Sequence, residues 1–141
     1  GGGFSVDLDG NSPAGISQSF ATVVGQTYQV TFYLSGNPDG GNSLKTVDVN
    51  LGGIYTFDTA TAGNSHGDMK YIKEVFDFIA TSTLTTLSFT SLDGGNSPYG
   101  PVIGGVDVSA VPEPLTLSVF GTGLLGSGWL ARRRKKKRPS E

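Results

Sequence analysis

The sequence predicts an all-β protein: an antiparallel, jelly-roll-like β-sandwich followed by a single short C-terminal transmembrane helix. Three observations support this prediction. Twenty-two glycines and seven prolines among 141 residues leave little room for long helices. Residues before position 111 alternate between apolar and polar side chains, which is the period of strands with one buried face. Residues 115–131 carry no charge and are followed at once by seven basic residues, a pattern typical of a membrane span.

Eight strands are predicted in the first part of the chain. The clearest covers residues 27–34, where Tyr28, Val30, Phe32 and Leu34 alternate with mostly polar residues. The other predicted strands are 5–9, 16–24, 46–51, 54–58, 71–80, 84–92 and 102–108. Clusters of Gly, Pro, Asn and Asp separate them, as turns require, and Gly52-Gly53 predicts a two-residue hairpin turn. Many short strands without helical segments between them indicate a two-layer sandwich.

The predicted core fills the space between the two sheets. Its inward-facing residues are Phe20, Val30, Phe32, Leu34, Val49, Phe57, Phe76, Phe78, Leu87, Phe89 and Val106. About 110 residues are enough for such a core. The chain starts at Gly1 with no charged and apolar leader, so we expect a processed product or a fragment of a longer precursor. In a fragment, missing N-terminal strands would leave one edge of the sandwich open.

Charge and cysteine content exclude several function classes. Before Pro112 the chain has three basic and ten acidic residues, whereas residues 132–141 have seven basic and one acidic. The acidic body is therefore not expected to bind nucleic acid. The absence of cysteine excludes disulfides, thiolate catalysis and cysteine-ligated zinc.

No catalytic residues are predicted, and we expect the protein not to be an enzyme. Hydrolysis by a Ser-His-Asp triad requires a histidine base. His66 is the only histidine and lies in a Gly-Asn-Ser-rich stretch, and no Gly-x-Ser-x-Gly elbow occurs. Most acidic residues fall in turns or at outward strand positions, where solvation is the default for a carboxylate.

Asp7 and Asp9 suggest a structural calcium ion. Carboxylates two residues apart on a strand leave the same face, and the Gly-Asn turn that follows adds carbonyl oxygens, which are ligands that calcium prefers. Asp107 is a further candidate ligand. A complete calcium loop would place a glutamate where Gln18 stands, so ordinary turn chemistry is the alternative interpretation.

Tyrosines are the candidate sugar-binding residues. Sugar sites on β-sandwiches combine aromatic rings with a few fixed polar groups, and the one tryptophan lies in the apolar C-terminal run. The candidates are Tyr33, Tyr55, Tyr71 and Tyr99, each beside polar residues or opposite the predicted core. Partial burial in the core or its rim is the alternative for each.

The pattern at the C terminus divides the chain into a sandwich domain (1–110), a linker (111–114), a transmembrane helix (115–131) and a basic cytoplasmic tail (132–141). Two prolines end the last strand. A helix of 17 residues would be about 25 Å long, just short of the ~30 Å hydrocarbon core. The basic run would stay in the cytoplasm and place the acidic body outside. Four glycines make a buried soluble helix the poorer alternative.

Val111, Pro112, Glu113 and Pro114, followed by a short glycine-containing apolar helix and an arginine-rich end, resemble the PEP-CTERM sorting signal of Gram-negative bacteria that make extracellular polysaccharide. The resemblance implies recognition by an exosortase, a membrane enzyme thought to cut near the Pro-Glu-Pro motif. The anchor would then be transient, and this protein would be the substrate.

The body resembles the choice-of-anchor C domain, a group similar to a plant cell-wall domain of unknown function with a galactose-binding-like jelly roll. Three segments carry the resemblance: 5–11, 15–20 and 25–32. Residues 100–108 are similar to the last strand of such folds, although Gly104 stands where the family usually has an aspartate. The resemblance implies a carbohydrate-binding or adhesive module.

These observations predict an exported protein of the cell surface or extracellular matrix, anchored transiently in the inner membrane. Its partners would be an exosortase, the membrane and an extracellular polysaccharide. Two alternatives stay open: an accessory domain of a secreted polysaccharide-active enzyme, and a purely structural matrix component.

Overall fold

Two four-stranded antiparallel sheets face each other in the computed structural model, which describes residues 3–41, 43–95 and 97–113. The strands are β1 (Ser5–Asp7), β2 (Gly15–Ala21), β3 (Thr27–Gly36), β4 (Leu44–Val49), β5 (Gly53–Asp58), β6 (Ile72–Ile79), β7 (Leu84–Ser91) and β8 (Pro101–Ala110). A 3-10 turn at Pro38–Gly40 follows β3, and one helical turn, α1 (Thr59–Ala62), follows β5. The predicted antiparallel sandwich is confirmed, as is each of its strands.

The sheets divide the strands between them so that the chain crosses repeatedly from one layer to the other. The first sheet has the order β1-β8-β3-β6 and the second has the order β2-β7-β4-β5. Strands β2 and β8 therefore border one side of the sandwich, where β1 covers only three residues of β8. Strands β5 and β6 border the opposite side.

The hairpin between β4 and β5 is confirmed, but its predicted two-residue turn is wrong. Val49 pairs with Gly53, and the Gly52 N–H donates to the Val49 carbonyl at 2.9 Å, so the turn comprises residues 50–52. Gly53 pairs as the first residue of β5 and has a φ of 97°, a conformation that favours glycine. Gly52 lies against the ring of Phe76, which a Cβ would approach to 2.6 Å.

The core contains most of the residues that the alternation predicts. Phe32, Phe57, Leu34, Val30 and Val49 are almost fully buried. Phe20 and Phe76 are partly buried and pack against this cluster. Core residues outside the predicted list are Leu8, Val47, Ala80, Val102 and Ile103.

Val106 was predicted in the core, and this is wrong, since it is 43% exposed. Thr31 pairs with Asp107 whereas Tyr33 pairs with Gly104, so two residues of β8, Gly105 and Val106, stand opposite one residue of β3. This is a β-bulge, which interrupts the regular alternation of a strand. Val106 lies at the bulge, on the side of the sandwich that β2 and β8 border, and the second sheet does not cover its side chain.

No helix long and apolar enough to cross a membrane occurs among residues 3–41, 43–95 and 97–113. The predicted membrane helix (115–131), the basic tail (132–141) and Pro114 lie outside the described residues.

Candidate functional site

A cleft of about 650 Å³ opens between β2 of the second sheet and β8 of the first. Apolar and aromatic side chains form most of its wall, and polar groups stand at its rim. The lining residues are Ile16, Ser17, Gln18, Phe20, Ala21, Tyr28, Leu87, Phe89, Val106, Asp107 and Val108. Both its volume and its mixture of apolar surface with a few polar groups are typical of small-ligand sites, which span about 300–1,000 Å³.

The aromatic side chains of the cleft are held by the core. The ring of Tyr28 stacks on Phe78 with centroids 5.5 Å apart, and Phe20 meets the same ring edge-on at 6.5 Å. The Tyr28 hydroxyl accepts a hydrogen bond from the Val23 N–H at 2.9 Å, and its own proton stays available to a ligand. The apolar wall is therefore preorganised.

Gln18 supplies an exposed polar side chain on the wall of the cleft that β2 forms. It lies cross-strand from the buried Leu87, so its amide faces the space between the sheets, and it is exposed. Asp107 borders the cleft with its backbone, but it lies cross-strand from Thr31, which alternates with the buried Val30 and Phe32. Its carboxylate therefore points to the outer face of the first sheet.

The four predicted sugar-binding tyrosines are not among the residues that line this cleft. Tyr33 and Tyr71 are both 39% exposed. Tyr33 lies on β3 between Lys73 and Gly104, with its ring against Gly105, where a Cβ would come within 2.8 Å of it. Tyr71 directly precedes β6.

The other two predicted tyrosines have structural contacts. Tyr55 is half-buried and packs edge-on against Phe32 with centroids 5.1 Å apart. Burial, with a contribution from the charge of Glu74, raises the pKa of Tyr55. Tyr99 lies in the loop before β8, with its side chain against Gly40.

Asp7 has the hydrogen bonds of a structural anchor. One carboxylate oxygen accepts from the Asp9 N–H at 2.9 Å and from the Gly100 N–H at 3.1 Å. The other oxygen accepts from the Asn37 side-chain amide at 2.7 Å. Asp7 thus joins three loops at one end of the sandwich.

Asp9 is fully buried, and neither of its carboxylate oxygens has a hydrogen-bond partner among the described residues. Gly100 makes room for it, because a Cβ at position 100 would come within 2.2 Å of the Asp9 carboxyl carbon. Nearby, the ammonium group of Lys45 lies 3.9 Å from Asp93 Oδ2, and both side chains are at least nine-tenths buried. Three ionisable side chains therefore lie close together and largely out of contact with water.

The structure does not bring Asp107 to Asp7 and Asp9. Asp7 pairs with Val102, and five residues along a strand correspond to about 16 Å. Among the described ranges, no group of three or more His, Cys, Asp or Glu side chains is arranged to hold a metal ion. The calcium site stays a prediction, which thermal unfolding with and without EDTA would test.

His66 is largely exposed, and within the described part of the chain its ring bonds only to Asp39, at 2.7 Å. No serine hydroxyl joins this pair in the residues that the structure describes. The arrangement is that of a surface ion pair.

Lys45, Asp93, Gln18 and the aromatic cleft wall were not predicted as site residues. A signal for Lys45 exists in the sequence, because it shares the buried face of β4 with Val47 and Val49. A lysine at an inward position of a strand is rarely buried without a partner. Nothing in the sequence pattern indicates the cleft, since it depends on which strands lie at the borders of the two sheets.

The end of the body is fixed beside the start of β3. The Val111 N–H donates to the Thr27 carbonyl at 2.9 Å, and the Gln26 side-chain amide donates to the Val111 carbonyl at 2.9 Å. Pro112 and Glu113 follow outside any strand. The first residues of the predicted sorting motif thus leave the sandwich at a defined point.

Comparison with solved structures gives remote similarities. The chain is 17% identical to a family GH115 4-O-methyl-α-glucuronidase with specificity for decorated arabinogalactans, with a TM-score of 0.49 over 79% of this chain and 16% of that enzyme. It is 12% identical to the CBM35 of Abf62 from Cellvibrio japonicus, with a TM-score of 0.36 over 75% of each chain. No curated protein matches the chain.

Two family models match the sequence. The model described as a PEP-CTERM protein-sorting motif covers residues 110–135, which confirms the predicted sorting signal and implies export through an exosortase to the Gram-negative cell envelope. The model described as a protein of unknown function, DUF642, covers residues 1–109. Because that match spans most of the chain, the protein belongs to the DUF642 family and carries a PEP-CTERM sorting motif behind its β-sandwich.

Proposed function

We propose that the β-sandwich is a non-catalytic carbohydrate-binding module that an exosortase delivers to the cell surface or the extracellular matrix. The observation that carries this proposal is the cleft between β2 and β8, with its aromatic wall and polar rim. Sugars present apolar C–H faces and many hydroxyl groups. A wall that contains Phe20 and Tyr28 suits the former, and the Gln18 amide with the Tyr28 hydroxyl suits the latter.

Extracellular polysaccharide is the ligand class that best fits the destination of the protein. The sorting motif implies export, and the acidic body with its exposed carboxylates would be repelled by polyanions. We therefore expect neutral or weakly charged glycans to bind in preference to polyuronates. The binding would attach the exported sandwich to the matrix that surrounds the cell.

The test is an array of neutral and uronic-acid-containing oligosaccharides probed with the purified chain in detergent. Saturable binding should be lost in Gln18→Ala, because this change removes the hydrogen-bonding amide from the wall of the cleft, and it should survive in Asp107→Ala, whose carboxylate lies on the outer face of the first sheet. Tyr33→Ala and Tyr71→Ala are matched controls, since they remove exposed aromatic rings outside the cleft. A blank array would contradict sugar binding, and loss only in the two tyrosine variants would move the site to the surface around Tyr33.

A structural role in the matrix is the second candidate, and the pairing of the strands favours it. Among the described residues, β2 pairs with β7 alone, and residues 105–110 of β8 pair with β3 alone. Both borders of the cleft therefore offer main-chain hydrogen-bonding groups to an added polypeptide strand. Concentration-dependent oligomers that disappear on proline substitution in β2, together with a blank array, would support this alternative.

An accessory role within a polysaccharide-active enzyme is the third candidate. It requires that a longer parent protein degrade a polysaccharide and that removal of the sandwich weaken its attachment to that substrate. Absence of turnover by the parent protein on a polysaccharide panel would exclude it.

Sorting is tested separately by the intact mass of the protein recovered from its native cell surface, with and without the exosortase. A C terminus near residues 111–114 would indicate cleavage at the motif and a transient anchor. A chain that extends through Arg138 would indicate a permanent membrane anchor. Deletion of residues 115–138 should release the body into the medium.

A further inference from the structure

The buried charges around Lys45 are not explained by carbohydrate binding. Lys45 lies on β4 and Asp93 lies two residues beyond the end of β7, and these strands are hydrogen-bonded neighbours with Val47 opposite Ser91. Two residues further along, the same register places Lys45 opposite Asp93. The two reactive groups therefore face each other across adjacent strands, with 3.9 Å between Nζ and Oδ2.

The surroundings hold both side chains in this position. The other Asp93 oxygen, Oδ1, accepts a hydrogen bond from the Thr46 N–H at 2.8 Å, which fixes the carboxyl group against β4. The ammonium group of Lys45 donates to the carbonyl of Tyr99. Within the part of the chain that the structure describes, Asp93 Oδ2 has no hydrogen-bond partner, so the carbon that would be attacked carries one oxygen held by Thr46 and one that is not.

Asp9 supplies a third group in the same dry space. Its carboxyl group lies against Gly100, and Gly100 shares a peptide group with the Tyr99 carbonyl that Lys45 contacts. Asp9 has no hydrogen-bond partner of its own. Burial raises the pKa of Asp93, and the neighbouring Asp9 carboxylate raises it further, so the two carboxyl groups share one environment.

We propose that Lys45 and Asp93 condense to an intramolecular amide that joins β4 to β7, and that Asp9 carries the protons for this step. The lysine ammonium gives up one proton to Asp9, which passes it to Asp93 Oδ2, and the free amine attacks the carboxyl carbon of Asp93 to form a C–N bond. The nitrogen then loses a second proton, which Asp9 again delivers to Oδ2, and the C–Oδ2 bond breaks as this oxygen departs as water. The ammonium and the carboxylate thus become one neutral amide and one water molecule, without an oxidant or any other reactant.

Burial favours the product over the starting ion pair. Two charges withdrawn from water cost several kcal/mol each, and their mutual attraction often fails to repay this cost. A neutral amide removes both charges from the interior, and its N–H keeps the Tyr99 carbonyl satisfied. The link would also close the loop from residue 45 to residue 93, as a disulfide would, in an exported chain that has no cysteine.

The test is the intact mass of the purified full chain under denaturing conditions. We expect the folded protein to be lighter than its sequence by the mass of one water molecule. Trypsin should fail to cut after residue 45 and should yield one branched product in which residues 1–70 are joined to residues 74–132. A wild-type chain at its full unmodified mass, cut normally after Lys45, would overturn the proposal and leave a buried ion pair.

Four variants separate the roles of the residues. Lys45→Arg and Asp93→Ala should restore the full expected mass, whereas Lys73→Arg, which changes an exposed lysine on β6, should keep the loss of water. Asp9→Asn leaves both reacting groups in place, and we expect its chain to fold, as judged by circular dichroism, without condensing. A folded Asp9→Asn variant that still loses water at the wild-type rate would overturn the role of Asp9. These masses do not depend on glycan binding, so this proposal and the proposed function fail independently.

Discussion

The two long sides of the sandwich contain similar aromatic residues, yet one side is closed and the other is open. On the side of β5 and β6, Tyr55 of the second sheet packs against Phe32 and Phe76 of the first, with centroids 5.1 Å and 6.2 Å apart. Gly52 adds a further contact at this border, because its backbone lies directly against the Phe76 ring. Side chains from both sheets therefore meet at this border.

On the side of β2 and β8, one aromatic pair bridges the sheets: Phe20 of the second sheet lies edge-on to Phe78 of the first, with centroids 6.5 Å apart. Tyr28 stacks on Phe78 at 5.5 Å, but both belong to the first sheet. Phe20 is the aromatic side chain that β2 contributes to the cleft, and the bulge at Gly105 leaves Val106 exposed. Closure thus depends on contacts between sheets rather than on the number of aromatic residues, and a cleft forms where such contacts are few.

Phe32→Ala and Phe20→Ala test this comparison with the largest expected effect. Phe32 is fully buried and contacts the rings of Tyr55, Phe76 and Phe89, so its truncation should lower the free energy of unfolding by about 3–5 kcal/mol. Phe20 borders the open cleft, where water can fill the vacated space, and its truncation should cost about 1–2 kcal/mol. Urea unfolding measures both. Equal losses would show that the two sides are packed alike.

Gly52→Ala should disturb the closed side alone. The new Cβ would lie 2.6–2.8 Å from atoms of the Phe76 ring, and such overpacking costs about 1–3 kcal/mol. Gly94→Ala is the matched control, because a Cβ at position 94 meets nothing within 4 Å. The measurement is again urea unfolding, and a neutral Gly52→Ala would mean that Phe76 moves aside freely.

The strands of this fold are predictable because their signals are local. Alternation of period two in residues 27–34 placed β3 correctly, and turn residues bounded its neighbours. The prediction that Val106 lies in the core is wrong because a β-bulge changes which face of the sheet the next side chains point to. Apart from Gly104-Gly105, the apolar pattern of the sequence gives no sign of this bulge. The hairpin turn at residues 50–52 was misjudged by one residue for a similar reason: either glycine can supply the positive φ.

The candidate sites were less predictable, because they depend on long-range pairing. The cleft exists because β2 and β8, which are 80 residues apart in sequence, border the same side of the sandwich. Asp7 and Asp9 were singled out for calcium, but their neighbours in space come from two distant loops, Asn37 from the one after β3 and Asp93 and Gly100 from the one between β7 and β8. The predicted sugar-binding tyrosines stay a prediction, and the tyrosine ring beside the cleft is Tyr28, which the alternation assigned to the core face.

Gly105→Ala tests whether the bulge shapes the open side. Gly105 has a φ of 57°, a conformation that costs other residues about 1–2 kcal/mol, and its Cβ would press on the exposed Tyr33 ring. Gly104→Ala is the control from the same strand, because its Cβ would make an ordinary contact of 3.4 Å with Ser5. Thermal unfolding should separate the two variants. If they melt together, the bulge has relaxed to regular pairing.

Glu74→Gln gives the smallest expected effect and concerns the closed side. Glu74 lies on β6 cross-strand from Phe32, and burial raises its pKa above the usual 4.5. A carboxyl group with a raised pKa binds its proton more tightly in the folded state than in the unfolded state. Its ionisation therefore lowers the stability as the pH rises from the unfolded-state pKa through the folded-state pKa.

The glutamine variant should lack this loss and be more stable than the wild type at neutral pH by less than about 1 kcal/mol, since the group is only partly buried.

Asp58 provides a comparison of opposite sign, because hydrogen bonds from Thr61 and the Ala60 N–H lower its pKa. The stability that Asp58 contributes is present above its unfolded-state pKa and is lost as the pH falls through its folded-state pKa. Unfolding curves of Glu74→Gln, Asp58→Asn and the wild type between pH 3 and pH 7 would measure both slopes. A Glu74→Gln curve that runs parallel to the wild type would mean that the Glu74 carboxylate is fully solvated and that water enters the closed side of the sandwich.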